Sequence, residues 1–130
     1  MWGKAKSGLP PGLPDCLKKR RLLNEKELSP EECRDYGEKF LAHGFIEDAL
    51  EFFLKGNYQP GLEKLKALAL ESGDAQLLAR LGEQDPETWR KVAEQALKYG
   101  KKYFARRAFE AGGEREQAEE LDQSLRKGDF

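Results

Sequence analysis

A gap-free match of the chain to itself limits its fold more than any other feature. Displaced by 56 residues, Ser29 falls on Asp85, Pro30 on Pro86, Glu31 on Glu87, Cys33 on Trp89, Tyr36 on Val92 and Gly37 on Ala93. In the same register Leu41 meets Leu97, Gly44 meets Gly100, Ala49 meets Ala105, Phe53 meets Phe109 and Gly56 meets Gly112. A middle stretch fits the first at a displacement of 29: Leu62 stands for Cys33, Leu65 for Tyr36, Leu70 for Leu41, Gly73 for Gly44 and Leu78 for Ala49. Self-similarity at such periods marks supersecondary units that cannot bury an apolar face alone and must stack. Glycine at the centre of each unit suits a left-handed turn residue. The small residues Gly37, Ala49, Ala93 and Ala105 let two backbones approach, and Phe53, Trp89 and Phe109 fill the space around that approach.

The periodicity within each unit is helical. Ser29-Pro30-Glu31-Glu32 and Asp85-Pro86-Glu87-Thr88 each pair a capping residue with proline at the first helical position. Cys33, Tyr36, Gly37, Phe40 and Leu41 then recur at spacings of three and four. Helices are expected to end at Gly44, Gly56, Gly73, Gly82, Gly100 and Gly112. Asp15 is placed to cap a short basic helix from Cys16 to about residue 24, and Asp74 to cap another. No segment alternates as a strand would. The expectation is an all-α chain: a flexible Pro/Gly-rich arm over 1–14 and a single helical-repeat domain over 15–130. Its hairpins span about 29–56, 57–84 and 85–113, and a capping helix spans 114–127.

The spacing of Trp89, Val92, Ala93, Gly100, Ala105, Phe109 and Gly112 resembles the tetratricopeptide repeat, and Tyr36, Gly37, Phe40, Ala49 and Phe53 fit the same pattern. The likeness runs from Ser29 to Gly113. It departs in its shorter repeat and in the middle unit, where Lys66 and Leu78 replace the small pair; the chain is equally similar to the helical hairpins of clathrin- and coatomer-type solenoids. The resemblance implies a short right-handed α-solenoid of three antiparallel hairpins with flanking helices. It further implies a concave groove lined by the first helix of each hairpin: Arg34, Glu38 and Leu41, then Glu63, Ala67 and Leu70, then Arg90, Glu94 and Lys98. The expected activity is protein–protein interaction without catalysis, with an extended or helical partner segment carrying acidic residues. Pairing with a second copy of the chain is compatible with so short a stack.

Composition narrows the alternatives. Lys and Arg total 23 against 24 Asp and Glu, a net charge of −1, so no global field draws the chain to nucleic acid or membrane. Two basic clusters, 18–21 and 98–107, keep a nucleic-acid-associated helical protein as the second reading. Exposed aromatics for base stacking are not evident in the sequence. Cys16, Cys33 and His43 are too few and too scattered for a transition-metal site, so no metal or cofactor is expected. His43 reads as a helix C-terminal residue and Cys33 as packing; no nucleophile–base arrangement supports an enzyme. No run has the roughly 20 apolar residues of a membrane span, and residues 1–13 lack the apolar core of a secretory signal, so the expected location is the cytoplasm.

Overall fold

A computed structural model describes residues 12–24 and 27–128. Eight helices and no strand occur among them. They are α1 (Cys16–Asn24), α2 (Pro30–Ala42), α3 (Ile46–Lys55), α4 (Gln59–Ser72), α5 (Ala75–Arg80), α6 (Pro86–Lys98), α7 (Lys102–Ala111) and α8 (Arg115–Arg126). The chain packs as two units, Met1–Glu63 and Lys64–Phe130, the division falling inside α4. Residues 1–11 of the expected arm lie outside the described residues.

In the first unit, α1 starts where the Asp15 carboxylate accepts the Lys18 amide at 2.8 Å. Ser29 opens α2 with a complete capping box: its hydroxyl accepts the Glu32 amide at 3.1 Å, and its own amide donates to the Glu32 carboxylate at 2.9 Å. Gly44, at φ +80°, turns the chain into α3. The core between α2 and α3 is aromatic. Phe40, Phe52 and Phe53 are sealed from solvent, with Phe52 stacked on Tyr36 and Phe40 at 5.2 and 5.6 Å between centroids. Phe53 lies on two glycines. A side-chain carbon on Gly37 would collide with its ring, and one on Gly61, at the start of α4, would come within 2.7 Å. The basic helix α1 is fixed to α3 by polar contacts. The Lys19 ammonium binds Asp48 and, at 3.2 Å, Glu51, and the Lys55 ammonium donates to the Leu23 carbonyl at 2.9 Å.

In the second unit, α7 packs against both α6 and α8 and touches α5. The core is built from alanine: Ala93, Ala96, Ala105 and Ala108 are fully buried, with Val92, Leu78, Trp89 and Phe109 around them. Small side chains let the backbones close in. A side-chain carbon on Gly73, at φ +71°, would stand 2.6 Å from the Ala96 backbone nitrogen. Two carbonyls at the end of α4 are capped from elsewhere in this unit: Gln95 donates to Glu71 O at 2.8 Å and the Lys101 ammonium to Ser72 O at 2.9 Å. Trp89 is anchored by its indole N–H on the Glu83 carbonyl at 3.1 Å. The Glu83 carboxylate in turn pairs with Lys66 at 2.9 Å and accepts the Gln84 and Asp85 amides. Burial pushes that carboxyl up, but Lys66 and the two amides outweigh it and hold it below its ordinary value.

The self-match in the sequence is a match in backbone geometry. A displacement of 56 carries both ends of α2 onto α6 and of α3 onto α7, and carries the first residue of α4 onto that of α8. The turn bonds follow. Phe45 N to Phe40 O (2.9 Å) recurs as Lys101 N to Ala96 O (2.8 Å), and Tyr58 N to Phe53 O (2.9 Å) as Glu114 N to Phe109 O (2.8 Å). Asn57, at φ +49°, is the counterpart of Gly113 at +83°. The middle stretch starts in the register of 29 and ends in a register of 25. Asp74 N binds Ala69 O as Phe45 N binds Phe40 O, whereas Glu83 N binds Leu78 O as Tyr58 N binds Phe53 O. The four lost residues are about one helical turn, which is why α5 has 6 residues where α3 has 10. Leu78 therefore holds Ala49's place at the start of its helix and Phe53's place at the end, which accounts for a large residue where the small one was expected.

Candidate interaction surface

The residues expected to line a groove lie on first helices. Arg34, Glu38 and Leu41 fall at i, i+4 and i+7 of α2, one face of the helix. Arg34 is exposed and pairs with the neighbouring Asp35 at 3.3 Å, while Glu38 and Leu41 are half-buried. Glu63 and Ala67 are exposed on α4, with Leu70 half-buried. Arg90, Glu94 and Lys98 run along one exposed stripe of α6. Arg90 lies 3.5 Å from Glu114 and 3.7 Å from Glu87, so Glu114 joins that face. Glu94 and Lys98 make no ion pair among the described residues.

The recurrence includes both core residues and residues that reach the surface. Between 29–56 and 85–112 the identical pairs are Pro30/Pro86, Glu31/Glu87, Arg34/Arg90, Glu38/Glu94, Leu41/Leu97, Gly44/Gly100, Ala49/Ala105, Phe53/Phe109 and Gly56/Gly112. Proline and glutamate open the helix, the first glycine turns it, and alanine and phenylalanine are core. The last glycine gives way to its neighbour helix: a side-chain carbon would stand 2.5 Å from Cys33 Cβ at Gly56 and 3.0 Å from Trp89 Cβ at Gly112. Arginine, glutamate and leucine remain. They form the same i, i+4, i+7 stripe in both copies, none of the six side chains is buried, and Leu97 is 41% exposed. The ion pairs of Arg34 and Arg90 are not shared between copies.

A second surface departs from the repeat. The α6–α7 turn reads Tyr99-Gly100-Lys101-Lys102-Tyr103-Phe104 where the first copy reads His43-Gly44-Phe45-Ile46-Glu47-Asp48. Tyr99 and Tyr103 are 53% and 52% exposed. By spacing, Leu97 and Tyr103 fit the apolar stripes of their helices, yet both are exposed to solvent, and exposed aromatics that the sequence does not make evident stand at this turn. Lys101 lies over the Tyr99 ring at 5.8 Å and Arg106 over the Tyr103 ring at 5.5 Å. Two clefts adjoin at Lys101. One, of about 440 Å³, is formed by Leu68, Glu71, Ser72, Tyr99 and Lys101. The other, of about 400 Å³, is formed by Gly100, Lys101, Lys102, Tyr103, Phe104 and Leu125.

Cys33 is buried, and burial pushes its thiol up, away from the nucleophilic thiolate. Cys16 is exposed beside the basic run of α1, and His43 is exposed at the C-cap of α2. Among the described residues no group of three His, Cys, Asp or Glu side chains is arranged to hold a metal ion, and no helix is long and apolar enough to cross a membrane. Compared with protein-family models, curated proteins and solved structures, the chain matches none.

Proposed function

We propose that the chain is a tetratricopeptide-like repeat that binds another protein and catalyses no reaction. In this reading three antiparallel hairpins, flanked by α1 and α8, stack as a short right-handed α-solenoid. The first helices present Arg34, Glu38, Leu41, Glu63, Arg90, Glu94 and Lys98 to an extended or helical partner segment with acidic residues. The observation that carries the reading is the recurring arginine–glutamate–leucine stripe. Two copies that differ at most positions keep these three along one helix face, with none of the six side chains buried. Retained surface identity in a repeat points to contact with something outside the chain.

The test is a peptide array of acidic, basic and neutral segments, followed by titration of the best acidic peptide. Arg90→Glu with Glu94→Arg preserves net charge and helix propensity. We expect it to weaken binding by about tenfold or more, the size of a lost hot spot. Equal affinity for both proteins would remove the groove.

A further inference from the structure

We infer that the α6–α7 turn is a second docking site, which seats the aromatic or aliphatic side chains of an acidic polypeptide in the two clefts on either side of Lys101. The inference rests on the reading of the chain as a protein-binding repeat and names a site outside the groove.

The first copy shows what this turn looks like when the fold alone governs it. There Phe45 meets Phe40 edge to face at 6.2 Å between centroids. Glu47 and Asp48 occupy the first turn of α3, where negative charge complements the helix dipole, and Asp48 holds Lys19 of α1. In the second copy Phe40 has become Ala96, Phe45 has become Lys101, and the two acids have become Tyr103 and Phe104. The backbone path is unchanged. The first turn of α7 holds no acid, no side chain caps it, and Lys101 and Lys102 sit at its positive end. That placement opposes the dipole. Lys98 and Arg107, both exposed, make no ion pair among the described residues. The turn thus gathers cations and half-exposed rings where the first copy has acids and packed apolar side chains.

The chemistry of the surface selects the occupant. Each cleft falls within the volume range of ligand sites, and the second is walled by Tyr103, Phe104 and Leu125, apolar surface suited to an apolar side chain. The rim of cations selects carboxylates between those side chains. A nucleic acid fits less well. Glu71 stands in the wall of the first cleft, Glu110 lies 3.5 Å from Arg106, and each tyrosine already carries a cation over its ring. Strand binding needs an unbroken basic track with open rings to stack on.

The probe is a synthetic peptide alternating Asp or Glu with Phe or Leu. Its controls are an equally long poly-aspartate, the same peptide with Lys for the acids, and oligo-deoxythymidine. Tyr99→Ala with Tyr103→Ala removes side chains that are half in water, and Arg107→Glu removes a cation without touching Lys101, whose ammonium caps α4, or Lys98, which belongs to the groove. Circular dichroism checks that each variant stays folded. The proposal expects saturable binding of the alternating acidic peptide, amide-signal changes centred on 99–104, and about tenfold loss in either variant. It expects weaker binding of poly-aspartate and none of the basic peptide. Signal changes confined to the α2 and α6 stripes, with binding lost only in the Arg90/Glu94 variant, would leave the groove standing and overturn this site. Tighter binding of oligo-deoxythymidine would overturn it in favour of nucleic acid, and absence of any peptide binding would overturn both readings.

Discussion

Phe53 shows how one side chain ties three helices. Its ring is sealed from solvent in α3 and lies on a glycine of α2 and a glycine of α4. Phe53→Ala leaves a cavity where the ring was and is expected to cost about 3–5 kcal/mol in urea unfolding. Gly37→Ala forces a carbon into the ring and is expected to cost about 1–3 kcal/mol. Combined with Phe53→Leu, Gly37→Ala should cost less than the sum of the two singles, because the second change vacates the space the first one needs. Additive losses in that cycle would mean that the glycine is there for another reason. Glu83 makes a titratable prediction. Its folded pKa lies below the unfolded value, so its contribution is complete above the ordinary carboxylate range, near pH 4.3, and fades as pH falls through the folded value. The stability gap between wild type and Glu83→Gln should therefore be widest near neutrality and shrink on acidification. A gap that grows on acidification would contradict the Lys66 and amide contacts.

The helices differ in what holds them. Helix α1 buries Leu22, and Lys19 and Lys55 join it to α3. Burial pulls the Lys19 ammonium down, but Asp48 and Glu51 outweigh it and leave the pKa above its ordinary value. The contribution is therefore full below the ordinary lysine range and lost as pH rises through the folded value. Lys19→Met should raise hydrogen exchange in α1 at neutral pH, with little change in α6 and α7, and wild type should approach the variant in strong alkali. Most helix boundaries were legible because their signals are local: the Asp15, Ser29 and Asp74 caps and the glycines at positive φ act within a few residues. The Asp85 cap was less so, since its carboxylate accepts from the Thr88 hydroxyl at 2.9 Å and no side-chain bond caps the backbone there. Which face of α7 is wet was not legible. Tyr103 and Phe104 both fit an apolar stripe by spacing, and only the packing of the helices shows that Tyr103 stands in solvent while Phe104 is half-buried.

At the scale of the whole molecule the repeat was visible in the sequence, but its interruption was not. A displacement of 29 and one of 25 both score partial matches in the middle stretch, and sequence alone offers no way to see that each holds at a different end of α5. The backbone bonds decide it. The arginine–glutamate–leucine positions and the cations of 98–107 were legible in the sequence, while the exposure of the rings at the turn was not, because Tyr99 and Tyr103 look like ordinary helix positions until they are seen in solvent. The short α5 also says how such a chain can grow or shrink. It has given up one full coil and lost nothing at either border, since the carbonyl that receives Glu83 N comes round to the same side. Lengthening should obey the same arithmetic. Four alanines inserted between Ala79 and Arg80 should leave the melting temperature nearly unchanged, whereas two would swing Leu81 by about 200° and lower it sharply. Spacers in this architecture come in whole coils.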